Sequence, residues 1–497
     1  MREGWLRCSV LLSLVCIATG CLHHAGPEVA YPIHTTNCAP CPDGPFSANV
    51  VSASAESPAT PVDMPIDFNT ALRLADQNNP SLALVRERIQ EAFARQQVAE
   101  SKWFPDLETG PTYTLHDGPI QQSAGDVITA HRSALAAGVG PSLVLNPGEA
   151  YYANLSARQV TSAYQANAQG VTNETLLQVA LAYVDVMQAL GELEINTQTL
   201  ANAKLLVDLT SSFERSGKGV AADTARARVE ASTRERERFE LMARIAASQA
   251  RLAQLLRLSP EVSLKPAEKN IQRWELVTVN QPVQGLIATA LMQRPELEEN
   301  RAWIAASLER WRAAKVQPLL PTLRLGYAVG TFGGGPNDFV GNFGTRYDLS
   351  ATLGWQLYGL GFGNQATIAE RHSQYAQAVF QRDGLEARIA EQVVAAYQQI
   401  ANRSREFKPA REAVTNAIES YHLNEERIRR APEQGRPIEL LQALQALARA
   451  RSDELALLSD YNRGQFRLFA ALGFTLGCDA STGGENNADG KPHSSVK

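Results

Sequence analysis

The sequence predicts a mainly α protein with a membrane β-barrel, made of duplicated halves that each supply two barrel strands and a long coiled-coil helical hairpin. Three observations lead there: the chain aligns with itself, four segments alternate apolar and polar residues strictly, and two helical segments reach rod length. Self-similarity is the first feature to establish, because a missed repeat misplaces every element after it. "LRLADQNNPSLALVRERIQEAFARQQVAESKWFPDLETGPTYT" from Leu72 aligns with "IATALMQRPELEENRAWIAASLERWRAAKVQPLLPTLRLGYAVG" from Ile287. "VALAYVDVMQA" around Tyr183 then answers "VVAAYQQIANR" around Tyr397, and "GVAADTARARVE" from Gly219 answers "GRPIELLQALQA" from Gly435.

Residues 1–20 read as an export signal, with Arg2 and Arg7 ahead of an apolar run from Cys8 to Ala18 that is too short for a permanent anchor. Residues 21–63 form a Pro/Ser/Ala-rich linker, in which Cys38 and Cys41 lie in an oxidising compartment and are free to pair. No histidine follows Cys41 and no second CxxC exists, so neither haem attachment nor a zinc site is expected. His23, His24 and His34 do not change this, since a flexible tether lacks the shell that holds metal ligands in place.

The first repeat, 64–260, opens with a helix that stops before Trp103-Phe104-Pro105. In Leu107 to His116 and Ser133 to Leu145 the large apolar residues occupy odd positions: Leu107, Tyr113, Leu115, Leu135, Val139, Leu143 and Leu145. After a connector, 261–284, the second repeat, 285–473, does the same with Leu323, Leu325, Tyr327, Val329, Tyr347, Leu349, Leu353, Trp355 and Leu357. The even positions are mostly small or polar, which is how a strand reads when one side meets lipid and the other a lumen. Open edges are not tolerated in lipid and single-chain barrels start at about eight strands, so four strands require partner copies.

Ala150 to Gly217 and Gln365 to Arg430 each approach roughly 100 Å if continuous. Leu176, Val179, Tyr183, Val186, Leu190 and Leu193 step by three and four, as do Ile389, Val393, Ala396 and Ile400, which is coiled-coil spacing. Ser216 to Gly219 and Pro432 to Gly435 turn each rod back as a hairpin. Pro409 lies inside the second rod, where a kink or break is expected. Residues 474–497 read as a disordered tail.

"GWQLYGLGFGNQA" from Gly354 looks like a glycine-rich phosphate loop but lacks βαβ surroundings. Its counterpart in the first half, "GPSLVLNPGEAYYA" from Gly140, also joins a strand to a rod. Both are expected to be barrel-to-tunnel joints, turning at Pro147 and Gly148 in one copy and at Gly359, Gly361 and Gly363 in the other. HExxH, GxSxG and Walker patterns are all missing, so catalysis and cofactors are not expected. A net charge of −5 without a Lys/Arg block gives no nucleic-acid footprint, and no stretch after the N-terminus was expected to span a membrane as a helix.

The signal, Ala18-Thr19-Gly20-Cys21, the duplicated halves, the rods, Gly354-Trp355 and "GRPIELLQALQA" together resemble the TolC-type outer-membrane efflux proteins, in particular their lipoprotein members. Ala18 to Cys21 resembles a lipobox, which implies lipidation of Cys21 and anchoring to outer-membrane lipid. The resemblance implies a homotrimer forming one barrel-and-tunnel, with the helices in the periplasm. It would serve as a passive exit duct opened by a periplasmic adaptor protein and an inner-membrane pump or exporter. It also implies an aperture ring at Glu439, with Gln442 where a second carboxylate is common. Adaptor-contact turns fall at Gly217, Lys218 and Gly219, with Asp223 as the counterpart of Glu439, and at Gly435, Arg436 and Pro437. The alternative is a lipid-anchored periplasmic coiled-coil scaffold without a channel, and drug, metal and protein cargo are not distinguished.

Overall fold

A computed structural model describes residues 63–477 apart from 260, 269, 279–280, 338 and 431–435. Residues 1–62, with the signal, Cys21, Cys38, Cys41 and the linker histidines, the turn residues 432–435 and the tail from 478 onward lie outside the described residues. The expected tail is corrected at 474–477, where Leu476 is buried in the core and Thr475 Oγ1 donates to Asn173 Oδ1 at 2.7 Å.

Strand β1 (Asp63–Ile66) leads into α1 (Phe68–Asn78), which starts where the Asp67 carboxylate accepts the Thr70 backbone N–H at 3.2 Å. Pro80 cannot continue that helix, and Asn79 caps a new one, α2 (Pro80–Ser101), by accepting the Ser81 N–H at 2.9 Å. The single opening helix expected in each copy is therefore two. The second copy divides likewise at Pro295, into α5 (Val283–Gln293) and α6 (Pro295–Val316).

The strands β2 (Asp106–Gln121), β3 (Val127–Leu145), β5 (Thr322–Pro336) and β6 (Gly344–Gly354) form one antiparallel sheet in the order β2-β3-β5-β6. Three of the four run further than alternation indicated. Beyond Leu115 polar residues, His116, Asp117, His131 and Arg132, are followed by a mixed stretch in which Ile120 pairs with Ile128, so the two-residue period lapses although the ladder continues to Gln121↔Val127. At the other end, β6 stops at Gly354, which corrects the expectation that Trp355 and Leu357 belong to the strand.

The rods are α3 (Pro147–Arg215) and α7 (Phe362–Arg430), each 69 residues and so roughly 100 Å long. They fold back as α4 (Ala221–Leu256) and α8 (Pro437–Ala471). Leu176, Val179, Tyr183 and Val186 are buried, with Leu190 partly so, and Ile389, Val393, Ala396 and Ile400 are buried. The predicted stripes are the ones that pack. Helix α7 runs without interruption through Pro409, which corrects the expected break. Pro409 and Arg405 are both exposed, so water reaches the carbonyl that proline leaves without a donor. Helix α3 is also long and apolar enough to cross a membrane by length and composition, contrary to expectation, but most of the apolar window is buried within the fold.

The connector is more structured than its sequence indicated. It contributes β4 (Ser263–Pro266), which pairs in parallel with β1 from Asp63↔Ser263 to Ile66↔Pro266. Under this small sheet Phe68, Tyr183, Trp274 and Phe466 form an aromatic core, with Phe68 5.1–5.5 Å from the other three rings. Such centroid spacings add to the area buried.

Candidate functional site: sheet faces, joints and hairpin tips

Register places the large apolar residues in rows on one face of the sheet. Leu145, Leu323 and Leu353 share a row, as do Leu143 and Leu325, Tyr327 and Leu349, and Val139, Val329 and Tyr347. Most of these side chains are exposed in the single chain, Leu349 at 77% and Tyr347 at 73%, while Leu143, Leu145, Leu323 and Val329 are half-buried. The apolar part of each strand is close to the roughly 9–11 residues that a tilted strand needs to cross a bilayer.

The opposite face is small and charged. Gly110, Gly138, Gly330 and Arg346 occupy one level, and Glu108, Gly140, Ala328 and Asp348 the next. The Arg346 guanidinium lies over the Phe332 ring, 5.2 Å from its centroid, and its Nε is 2.8 Å from the Asp348 carboxylate. Closure of strands is tight at the glycine level, where a Cβ on Gly330 would come 2.3 Å from the Ala137 carbonyl oxygen. Strands β2 and β6 each have one neighbour among the described strands, so each presents an open edge.

Pro147 and Gly148 lie where β3 meets α3, and Gly359, Gly361 and Gly363 lie between β6 and the first turn of α7. Pro147 fills the first position of α3, where its missing N–H costs nothing, and Gly148 packs against Leu320. In the second copy a short 3₁₀ segment, Tyr358–Gly361, holds Gly359 at φ 53° and Gly361 at φ 97°, while Leu360 between them is forced to φ 58°. A left-handed leucine costs roughly 1–2 kcal/mol, so the bend is tight. Gly363 lies in the first turn of α7 against Tyr358, and Trp355 Nε1 donates to the Leu319 carbonyl at 3.3 Å.

At the first tip Gly217 has φ 73°, and the N–H groups of Lys218 and Gly219 both donate to the Phe213 carbonyl, at 2.9 and 3.1 Å. Asp223 lies in the first turn of α4 and pairs with Arg226 at 3.0 Å. At the second tip Arg436 caps α8 and Pro437 opens it. Glu439 in that first turn is 3.0 Å from the Arg427 guanidinium of α7, while Gln442 is exposed one turn on. Arg427 was not singled out from the sequence. Its signal was the run of arginines ending α7 opposite the only carboxylate in the first turn of α8.

A polar belt at mid-height was also missed. The single proton of the Tyr183 hydroxyl is shared between the Glu268 carboxylate and the Ile66 carbonyl; burial, with Glu268 beside it, pushes the phenol far above its ordinary range. Asn462 Oδ1 accepts the Trp274 N–H, and Gln465 Oε1 accepts those of Leu276 and Val277. Two fully buried amides three residues apart in an apolar helix were the available signal. Among the described residues no His/Cys/Asp/Glu group could hold a metal ion.

Residues 71–256 match the family model of outer membrane efflux proteins. No curated protein matches the chain. The solved structure of the outer-membrane channel OprN is similar at 18% identity and TM-score 0.71, over 82% of this chain and 89% of that one. The outer membrane protein VceC from Vibrio cholerae is similar at 17% identity and TM-score 0.68, over 82% and 96%. The CmeC outer membrane channel of Campylobacter jejuni gives 15% and 0.68, over 89% and 96%. At these identities the likeness concerns the fold, and it extends through both halves of the chain.

Proposed function

With an outer membrane efflux signature in its first half and the fold of such channels throughout, we infer that this chain is a TolC-type outer-membrane efflux channel. The observation that carries the reading is the four-stranded sheet, apolar on one face and charged or small on the other, with both edges open and rods of roughly 100 Å attached. An uncovered apolar face joined to unpaired backbone is unstable in water and in lipid alike, unless other copies complete the sheet.

Three copies of the four strands would make twelve, enough for an open bore with the charged face inward. The hairpins would continue that bore into the periplasm. The channel would work without catalysis. A periplasmic adaptor would grip the turns around Gly217, Lys218 and Gly219 and around Arg436 and Pro437, and an inner-membrane pump or exporter would supply the energy. Cys21 would carry lipid, and the linker to Asp63 would tether it to the body at β1. Glu439 would ring the closed aperture, with Gln442 beside it. Drug or metal efflux and type I protein secretion use the same architecture.

The rival is a lipid-anchored coiled-coil scaffold. Removing the anchor separates the two by solubility. A Cys21→Ala variant should still need detergent for extraction and should run as an oligomer that boiling converts to monomer. Release into buffer as a monomer would favour the scaffold.

A further inference from the structure

We propose that Pro409 is the hinge at which the tip of α7, residues 410–430, swings away from α8. The proposal rests on the channel reading, in which the tips must move for the bore to open.

On the barrel side of Pro409, α7 is held firmly. Arg403 Nη2 donates to Asp460 at 3.0 Å, and Arg463 joins Asp460 to Asp185 at 3.0 and 2.6 Å, which ties α7 through α8 to α3. One helical turn on, the Phe407 ring packs edge-on against Tyr461 at 5.2 Å. The Arg273 guanidinium from the connector lies over both rings, 4.9 Å from Phe407 and 4.6 Å from Tyr461. Asn462 and Gln465 fasten the rest of the connector over the same stretch of α8.

Immediately past this clamp the hold fails. Pro409 removes the hydrogen bond to the Arg405 carbonyl, and its ring crowds that carbonyl. From Lys408 to Asn416, beyond the clamp at Arg403 and Phe407, helix α7 buries no side chain. A long ion pair reaches α8 there, from an exposed Arg411 to a half-buried Glu454 at 3.9 Å. Packing resumes only at Ala417, Tyr421 and Ile428, against Leu440, Leu444 and Leu447, with the Arg427–Glu439 pair at 3.0 Å closing the end.

Helix α8 stays put over the same span. Leu455 fills the notch at Gly191 of α3, Arg451 donates to Gln198 at 2.8 Å, and Gln445 donates to Glu230 of α4 at 2.6 Å. The two strands of the hairpin thus differ in kind. One is fastened to the first hairpin along its length, while the other is clamped, weakened at a single proline, and latched at its tip. Proline sites are where long helices bend.

Two measurements on the full-length protein test this. In hydrogen exchange, amides of 405–416 should exchange faster than those of 389–400 and 417–428, and Pro409→Ala should slow them. Uniform protection along α7 in the wild type overturns the hinge. In planar bilayers, Arg427→Ala should lengthen time in a higher-conductance state by releasing the latch. Adding Pro409→Ala should cut that gain about fivefold, the worth of one restored hydrogen bond. A gain untouched by Pro409→Ala also overturns the hinge. Absence of current from every variant would count against the channel, and the exchange pattern would still decide the hinge.

Discussion

Tyr183 is fully buried yet polar at its tip, so Tyr183→Phe keeps the packing and removes bonds to Ile66 and Glu268. The variant should lose about 1–3 kcal/mol, read as a lower denaturant midpoint in detergent. The folded chain holds the phenol proton more tightly than the unfolded chain, because the group is buried beside a carboxylate. Its stabilisation is therefore full below the unfolded value of 10.0 and declines as pH rises past it, so wild type and variant should converge in strong alkali. For Glu439 the proposed aperture ring makes ion flow the informative readout. If three copies ring the aperture, Glu439→Ala should lower cation preference in bilayer recordings, and unchanged selectivity would remove that role. The positive-φ glycines Gly217, Gly359 and Gly361 were legible in the sequence as turn positions, since φ constraints are written in residue type. Arg427, Asn462 and Gln465 were not, because polar partners separated by a turn or a connector leave no local period.

At the scale of elements, sheet and rods were readable because one residue in two, or alternating three and four, must be apolar when a single face is buried. The extensions of β2 and β3 were hidden where apolar and polar residues no longer alternate, and the β1–β4 pair because four-residue strands carry no pattern. Helix α7 was expected to break at Pro409 and does not, since its unsatisfied carbonyl reaches solvent. Within the sheet, glycine is set by the close approach of neighbours and not by conformation. A Cβ on Gly330 would strike the β3 backbone, while one on Gly344 at the open edge would meet nothing within 4 Å. Gly330→Ala should therefore lower the temperature at which the oligomer dissociates on a gel, with a cost of about 1–3 kcal/mol, and Gly344→Ala should leave it unchanged. Equal effects would mean that the strands relax apart freely.

For the whole molecule, the duplication seen in the sequence is the duplication of the fold, and the resemblance to outer-membrane efflux proteins holds in the match over residues 71–256 and in the shared architecture. What one chain cannot do is close its sheet. Its apolar face and its open edges make the assembled barrel the point on which the proposed roles depend, with Arg346 and Asp348 facing a bore and Arg427 latching a tip. The most direct measurement is current through the purified full-length protein in a planar lipid bilayer, alongside its mass in detergent. A trimer that inserts and carries discrete single-channel currents, shifted in ion preference by Arg346→Glu on the inward face, is the predicted result. A monomer that leaves the bilayer silent would contradict it.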